Sequence, residues 1–299
     1  MCEALEGACG EAASKLGIPE SVSGATLLAI SGSAPEFFTA VISAWFFGQF
    51  EIGLMVILWS AIFNITVIPG ASAFATSEPL RVARVVVSRD CVAYLVLCLL
   101  LVGLLEDGRL TRTDALILLG GYALYVYVLS LMLNSQEEPE PEPSLMPPWK
   151  VVVTLVVGVA AIGGLCHAMV WLGTQVAAGL GLGMVLISAL VFAPGTSIPD
   201  LFLSIVSARR GAGSACLSNV YGSNSFDLTV CLAVPVLIVG DIQVEIAGPV
   251  LWSIVILLGT IALSILMLRI DYQLSRRAGG ALLALYGLFA AGLVLSSLS

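Results

Sequence analysis

The sequence predicts an all-α polytopic membrane protein with two inverted repeats. Three observations support this fold class. Hydrophobic residues make up 59% of the 299 residues and charged residues only 11%, whereas soluble domains carry about 25% charged residues. Nearly uncharged runs long enough to span a membrane recur along the whole chain. One polar motif occurs twice, once in each half of the sequence.

The composition excludes a water-soluble enzyme and a nucleic-acid-binding protein. The 12 Lys and Arg residues are outnumbered by 20 Asp and Glu residues, which gives a net charge of −8 and no basic patch for phosphates. The seven cysteines lack metal-binding spacing and lie mostly in apolar runs, so we interpret them as small buried hydrophobic residues.

Apolar runs predict nine transmembrane helices, because an open sheet would leave backbone groups unsatisfied in lipid. Their approximate ranges are 20–46, 52–75, 84–105, 114–133, 150–176, 181–206, 214–239, 247–268 and 279–298. The charged segment before the first of them contains no run of spanning length. We interpret it as an amphipathic lead-in or as the end of an incomplete helix.

An acidic, proline-rich linker at 134–148 divides the chain into a first repeat, 1–133, and a second repeat, 149–299. Its segment 137–143 reads Glu-Glu-Pro-Glu-Pro-Glu-Pro, which cannot form a packed core and should be exposed. The nine-span topology places ten of the twelve basic residues on one side of the membrane. That side, and the linker with it, should therefore be cytoplasmic.

The repeated motif reads Ser-Gly-Ser-Ala-Pro-Glu at 31–36 and Gly-Thr-Ser-Ile-Pro-Asp at 195–200. A second polar cluster follows each copy, at 60–64 and at 223–227, with offsets of 164 and 163 between the halves. The span that contains Glu36 should run outward from the cytoplasmic side. One full span lies between the cytoplasmic linker and the span that contains Asp200, so the second motif helix should run inward, in the opposite direction. Inverted repeats of this kind are typical of secondary transporters, which bind their substrates near the membrane midplane.

The residue types indicate a cation site. Glu36, Asp200 and Asp227 lie in apolar runs with no basic neighbour in sequence, and a carboxylate in hydrocarbon costs several kcal/mol without a partner. Bound cations would supply that partner. Pro35 and Pro199 each free the carbonyl four residues earlier, and free carbonyls, hydroxyls and carboxylates are the hard oxygen ligands that Ca²⁺ prefers.

Small and polar residues complete this predicted site. Gly32 and Gly195 would let helices approach an ion closely. The second clusters contain the pairs Ser60/Asn64 and Ser223/Asp227. Residues four positions apart share a helix face, so each pair should point toward the same place.

These motifs resemble those of the cation/Ca²⁺ exchanger superfamily, and within it those of the K⁺-dependent Na⁺/Ca²⁺ exchangers. The resemblance covers 24–70 and 187–235, while the other spans agree only in hydropathy and position. It implies a membrane antiporter, not an enzyme, that exchanges Na⁺ for Ca²⁺ with K⁺ co-transport by alternating access and without a cofactor. It also implies a plasma-membrane location and leaves an intracellular membrane open.

The resemblance further implies roles for individual residues. Glu36 and Asp200 would be the central Ca²⁺/Na⁺ ligands, and Asp227 stands at the position of a K⁺-associated aspartate. The remaining oxygen ligands would be Ser33, Thr196, Ser197, Ser60 and Ser223, with Asn64 as the uncharged member of the inner ring. Some relatives that do not use K⁺ also have Asp at the position of Asp227, so K⁺ coupling stays open.

The sequence departs from the family pattern in three ways. The resemblance implies two inverted five-helix repeats of the ten-helix type with a truncated first helix, because the sequence has nine predicted spans where the family has ten and residues 1–16 resemble the end of the family's first helix. Trp59 stands where the family usually has Gly before the serine of the first repeat, and could alter access or packing. The linker is short, so regulation by a large cytoplasmic loop is not expected.

Two alternative functions follow from the same residues. A proton-coupled cation exchanger of this fold would use Glu36 or Asp227 as the proton carrier. An intramembrane aspartyl protease would use Asp200 and Asp227, although its Gly-x-Gly-Asp signature is absent. The sequence does not predict the oligomeric state or the ion stoichiometry.

Overall fold

The computed structural model describes residues 32–133 and 147–298. Ten helices lie in this part: α1 Ala34–Trp45, α2 Phe50–Phe74, α3 Arg84–Leu104, α4 Arg112–Leu133, α5 Pro148–Leu180, α6 Met184–Thr196, α7 Ile198–Arg209, α8 Gly213–Val239, α9 Gly248–Asp271 and α10 Arg276–Leu298. Four short strands lie between them: β1 Leu80–Arg81, β2 Arg109–Leu110, β3 Ile242–Gln243 and β4 Gln273–Leu274. The predictions for the N-terminal segment, the acidic linker core and Ser31 fall outside the described residues.

Seven of the described helices are long and apolar enough to cross a membrane, namely α2, α3, α4, α5, α8, α9 and α10. The pair α6 and α7 makes an eighth crossing if it counts as one span, and it bends by 42° at the break. The protein is therefore an integral multi-pass membrane protein. The single predicted span 181–206 is a broken helix, and only α1 of the predicted span 20–46 is described.

The strand pairings show that the halves are inverted. β1 pairs with β4, and β2 pairs with β3, both antiparallel. Because β1 comes just before α3 and β2 just after it, the two pairings lie at opposite ends of the helix layer. α2 runs toward the β1 end, whereas α8 runs toward the β3 end. The corresponding helices α2 and α8 therefore cross the layer in opposite directions, as the repeat predicts.

The helices α2 and α8 form the centre of the molecule and are its most buried spans. α2 is apolar on every side, as expected for a helix without a solvent face, and it packs against α1, α6, α7, α8, α9 and α10. α4, α5 and α10 are the least buried spans, with exposed apolar side chains such as Leu124, Val156 and Leu288. These outer helices would face lipid.

The sequence departure at Trp59 has a packing explanation. The Trp59 side chain is fully buried, its indole N–H donates to the Ser253 hydroxyl at 2.9 Å, and its ring meets the Tyr286 ring edge-on. The bulky residue therefore fills the contact of α2 with α9 and α10. A buried indole N–H needs such a hydrogen-bond partner, and α9 supplies it.

Candidate ion-binding site

All nine residues predicted to bind ions lie in the protein interior. Their side chains are buried, with the largest exposure, 4%, at Thr196. The carboxylates are Glu36 on α1, Asp200 on α7 and Asp227 on α8, and the amide is Asn64 on α2. The hydroxyls are Ser33, Ser60, Thr196, Ser197 and Ser223.

The two copies of the motif place their carboxylates in the same local structure. Ser33 and Ser197 are the N-cap residues of α1 and α7, with ψ of 7° and 0°. A new helix follows each of them with proline in its first two positions, and Glu36 and Asp200 lie in the first turns. The backbone N–H groups of such a turn carry partial positive charge. They stabilise a carboxylate held there.

Glu36 is reached by hydroxyls from the opposite repeat. The Ser197 hydroxyl donates to Glu36 Oε1 at 3.3 Å, and Thr196 lies beside the same carboxylate. Glu36 Oε2 is buried and accepts no hydrogen bond within the described residues. The first carboxylate is therefore held by the second motif and keeps one oxygen for another partner.

Asp200 lies against the backbone of the first motif. A Cβ atom built on Gly32 would lie 2.7 Å from Asp200 Oδ1, a distance that real Cβ atoms essentially never show. Asn219 of α8 donates weakly to the same oxygen at 3.5 Å. Gly32 is the counterpart of Thr196 at the 164-residue offset, so Asp200 meets backbone where Glu36 meets a hydroxyl. Gly32 thus lies close to a carboxylate of the opposite repeat, whereas Gly195 has no neighbour within 4 Å of a built Cβ.

Asp227 is the first residue of a π-helical turn, Asp227–Cys231, within α8. Its Oδ1 accepts a weak hydrogen bond from the Cys231 thiol at 3.5 Å, its Oδ2 has no hydrogen bond within the described chain, and Ser33 lies beside it. α2 continues as a regular α-helix at the equivalent position, Asn64. Such π turns are frequent at functional sites because they redirect one side chain and release backbone carbonyls.

The hydroxyls of the second clusters donate within their own helices. Ser60 donates to the Ile57 carbonyl at 3.1 Å and Ser223 to the Asn219 carbonyl at 3.0 Å. A hydroxyl oxygen that donates its proton elsewhere presents its lone pairs outward. Both serines can therefore act as oxygen ligands without rearrangement.

The three carboxylates lie close enough to repel one another. Neither Glu36 nor Asp227 forms an ion pair with a basic residue of the described chain. Within 32–133 and 147–298, no three His, Cys, Asp or Glu side chains are arranged so that they could hold one metal ion. An ion here would take most of its ligands from hydroxyl, amide and backbone oxygens.

The structure adds three polar residues that the sequence analysis did not weigh: Asn224 and Asp90, which are buried, and Asn219, which is half-buried. Asp90 is fully buried, pairs with Arg89 at 2.6 Å and accepts from the Ser218 hydroxyl at 2.8 Å. Arg89 is one of the ten basic residues that the sequence analysis assigned to the cytoplasmic side. In the structure it neutralises the buried carboxylate of Asp90. An Arg-Asp dipeptide inside a predicted span is a signal that could have revealed this pair.

Inverted repeats, a helix broken between α6 and α7, and buried carboxylates from both halves define a membrane secondary transporter rather than an enzyme. The chain belongs to the sodium/calcium exchanger protein family, whose model matches residues 2–131 and 150–295. The superfamily named from the two sequence motifs is thereby confirmed.

Two relatives illustrate the range of similarity. The putative antiporter CaxA of Alkalimonas amylolytica is 29% identical over 269 residues, which cover 86% of this chain and 82% of that protein. Sodium/potassium/calcium exchanger 4 of Homo sapiens is 35% identical over 153 residues. That alignment covers 48% of this chain and only 24% of the human protein.

Solved structures agree in fold. The sodium-calcium exchanger NCX_Mj, soaked with 2.5 mM Na⁺ and 10 mM Sr²⁺, superposes with a TM-score of 0.69 at 25% identity, covering 97% of this chain and 93% of that one. The H⁺/Ca²⁺ exchanger CAX gives a TM-score of 0.75 at 15% identity, covering 99% and 82%. At that identity the second likeness concerns the fold alone.

Proposed function

We propose that this protein exchanges Na⁺ for Ca²⁺, with K⁺ as a co-transported ion, by alternating access to one acidic site in the plasma membrane. One observation carries the proposal: buried oxygens of Glu36, Asn64 and Asp227 have no hydrogen-bond partner within the described residues. Buried charge without a partner is strongly destabilising. Bound cations remove this cost, and the relatives named above include a sodium/potassium/calcium exchanger.

The ligand assignment follows the two motifs. Glu36 and Asp200 are the central ligands for Ca²⁺ or Na⁺, because they lie at equivalent helix starts in the two repeats, here assigned to 1–133 and 149–299. The assigned hydroxyl ligands are Ser33, Ser60, Thr196, Ser197 and Ser223. Asn64 contributes its amide oxygen, and Asp227, its counterpart in the second repeat, contributes a third charge.

The charge of the site explains why exchange is favoured over leak. Three carboxylates balance the charge of one Ca²⁺ plus one K⁺. An empty site would carry uncompensated charge past the lipid barrier when the protein switches sides, and its desolvation is costly. Only the occupied states should therefore switch at an appreciable rate, which couples the inward movement of one ion to the outward movement of another.

A proton-coupled exchanger is the second candidate function. The open oxygens of Glu36 and Asp227 favour it, because they could bind protons as well as metal cations, and the H⁺/Ca²⁺ exchanger CAX shows that this fold occurs in a proton-coupled protein. The two candidates use the same residues and differ only in the driving ion.

Uptake of ⁴⁵Ca²⁺ into proteoliposomes tests both. Vesicles loaded with Na⁺ are placed in Na⁺-free medium containing K⁺ or choline, and a separate set carries only a pH gradient. We expect uptake that requires internal Na⁺ and increases with external K⁺. Uptake driven by the pH gradient alone would establish the second candidate, and the absence of uptake under every gradient would refute both.

Substitution Asp227→Asn tests the K⁺ assignment. It removes one charge but keeps the shape of the side chain, so we expect Na⁺-driven Ca²⁺ uptake to persist and to become independent of external K⁺. Asp271→Asn is the matched control, because Asp271 is exposed at the end of α9. An Asp227→Asn protein that retains the wild-type K⁺ response would contradict the assignment.

A further inference from the structure

Asn64 and Asn224 form a buried side-chain pair across the two repeats. Asn64 Nδ2 donates to Asn224 Oδ1 at 2.9 Å, and Asn224 Nδ2 donates to the Ala61 carbonyl at 3.4 Å. Both side chains have no exposed surface. At the 163-residue offset, the counterpart of Asn224 is Ala61 and that of Asn64 is Asp227. The second repeat therefore has an amide, Asn224, where the first repeat has Ala61.

The bond to Ala61 determines the orientation of both amides. A backbone carbonyl can only accept a hydrogen bond, so the Asn224 atom that faces it must be Nδ2. Asn224 Oδ1 then faces Asn64, and the Asn64 atom opposite that oxygen must be Nδ2. Asn64 Oδ1 consequently points away from the pair, and it is buried without a hydrogen-bond partner in the described chain.

We propose that Asn224 is a positioning residue that makes Asn64 present its oxygen, and not its NH₂ group, to the transported cation. The inference rests on the proposed function, because it takes Asn64 as an ion ligand. Without Asn224, the Asn64 amide could rotate and place its NH₂ group at the ion. An NH₂ group would repel a cation that the oxygen attracts.

The same pair selects against a carboxylate at position 64. In Asn64→Asp, a carboxylate oxygen would face Asn224 Oδ1, and two acceptors cannot share a hydrogen bond. Rotating the Asn224 amide would relieve that contact but would place its oxygen against the Ala61 carbonyl. Either arrangement leaves a buried polar atom unsatisfied. Asn224 thus keeps the site at three carboxylates, the number that balances one Ca²⁺ and one K⁺.

A double-mutant cycle on ⁴⁵Ca²⁺ uptake tests this role. Wild type, Asn224→Ala, Asn64→Asp and the double variant are compared for KM and maximal rate, under whichever gradient drives the wild type. We expect Asn224→Ala to raise KM for Ca²⁺ about tenfold at a similar maximal rate. The KM penalty of Asn64→Asp should be at least about fivefold smaller in the Asn224→Ala background than in wild type.

Ser225→Ala is the matched control for lost hydrogen bonding in α8. Ser225 is buried beside Asn224 but donates to the Tyr221 carbonyl within its own helix, so its removal should leave KM unchanged. Independent, multiplicative KM penalties at Asn64 and Asn224 would overturn the inference. So would an Asn224→Ala variant that loses maximal rate with KM intact.

A failure of the proposed function would be recognised separately. If wild-type vesicles take up no Ca²⁺ under any gradient, the same four proteins are compared in detergent for the rise in melting temperature that Ca²⁺ produces. A smaller rise in Asn224→Ala, with the same non-additivity, would support the positioning role in a Ca²⁺-binding protein. No rise in wild type would overturn the inference along with the function.

Discussion

Glu36→Gln is expected to reduce Na⁺-driven Ca²⁺ uptake by at least about 100-fold. Even residues that only orient metal ligands cost about 10- to 100-fold in metal affinity when they are replaced, and Glu36 is proposed as a direct ligand. The substitution retains an oxygen that can accept from the Ser197 hydroxyl but removes the charge. Initial rates of ⁴⁵Ca²⁺ uptake at saturating internal Na⁺ measure the loss.

The same variant should fold at least as well as wild type. Replacing an unpaired buried charge with a neutral group of the same shape removes a desolvation cost, so its melting temperature in ion-free detergent should not fall. Stabilisation by Ca²⁺ should disappear. Glu51→Gln is the control, because Glu51 is exposed at the start of α2. Near-normal uptake by Glu36→Gln would remove Glu36 from the proposed site.

Much of the architecture could be predicted from the sequence because membrane folds constrain it strongly. Every spanning segment must satisfy its own backbone hydrogen bonds, so long apolar runs are helices. The span count around the cytoplasmic linker predicted the inversion, which the β1–β4 and β2–β3 pairings independently support. Burial of carboxylates such as Glu36 was also predicted, since uncharged flanks leave few other places for a mid-span acid.

The contacts within the site could not be predicted in the same way. Spacing places Glu36 in a span, but the reach of Ser197 to it depends on how α7 is rotated against α1. Likewise, Asn224 lies in the polar cluster at 223–227, yet its bond to Asn64 depends on the crossing of α2 and α8. Periodicity within one helix contains no information on the rotation of its neighbour, so these partners emerge only from tertiary packing.

Gly32→Ala is expected to raise KM for Ca²⁺ by about 10- to 100-fold. The added Cβ would lie 2.7 Å from Asp200 Oδ1, so either the carboxylate or the first motif must move. Overpacking of this kind costs about 1–3 kcal/mol, and here the displaced atom is a proposed ion ligand. Because Glu36 does not contact Gly32 in this way, the site should be distorted on its Asp200 side alone.

Gly259→Ala separates this contact from the effect of alanine on helix stability. Gly259 lies inside α9 with no atom within 4 Å of a built Cβ, so alanine there should favour the helix without displacing a ligand. KM should then change in Gly32→Ala and not in Gly259→Ala. Equal KM values in the two variants would mean that Asp200 moves aside without loss. The close approach of the first motif to that carboxylate would then have no part in ion binding.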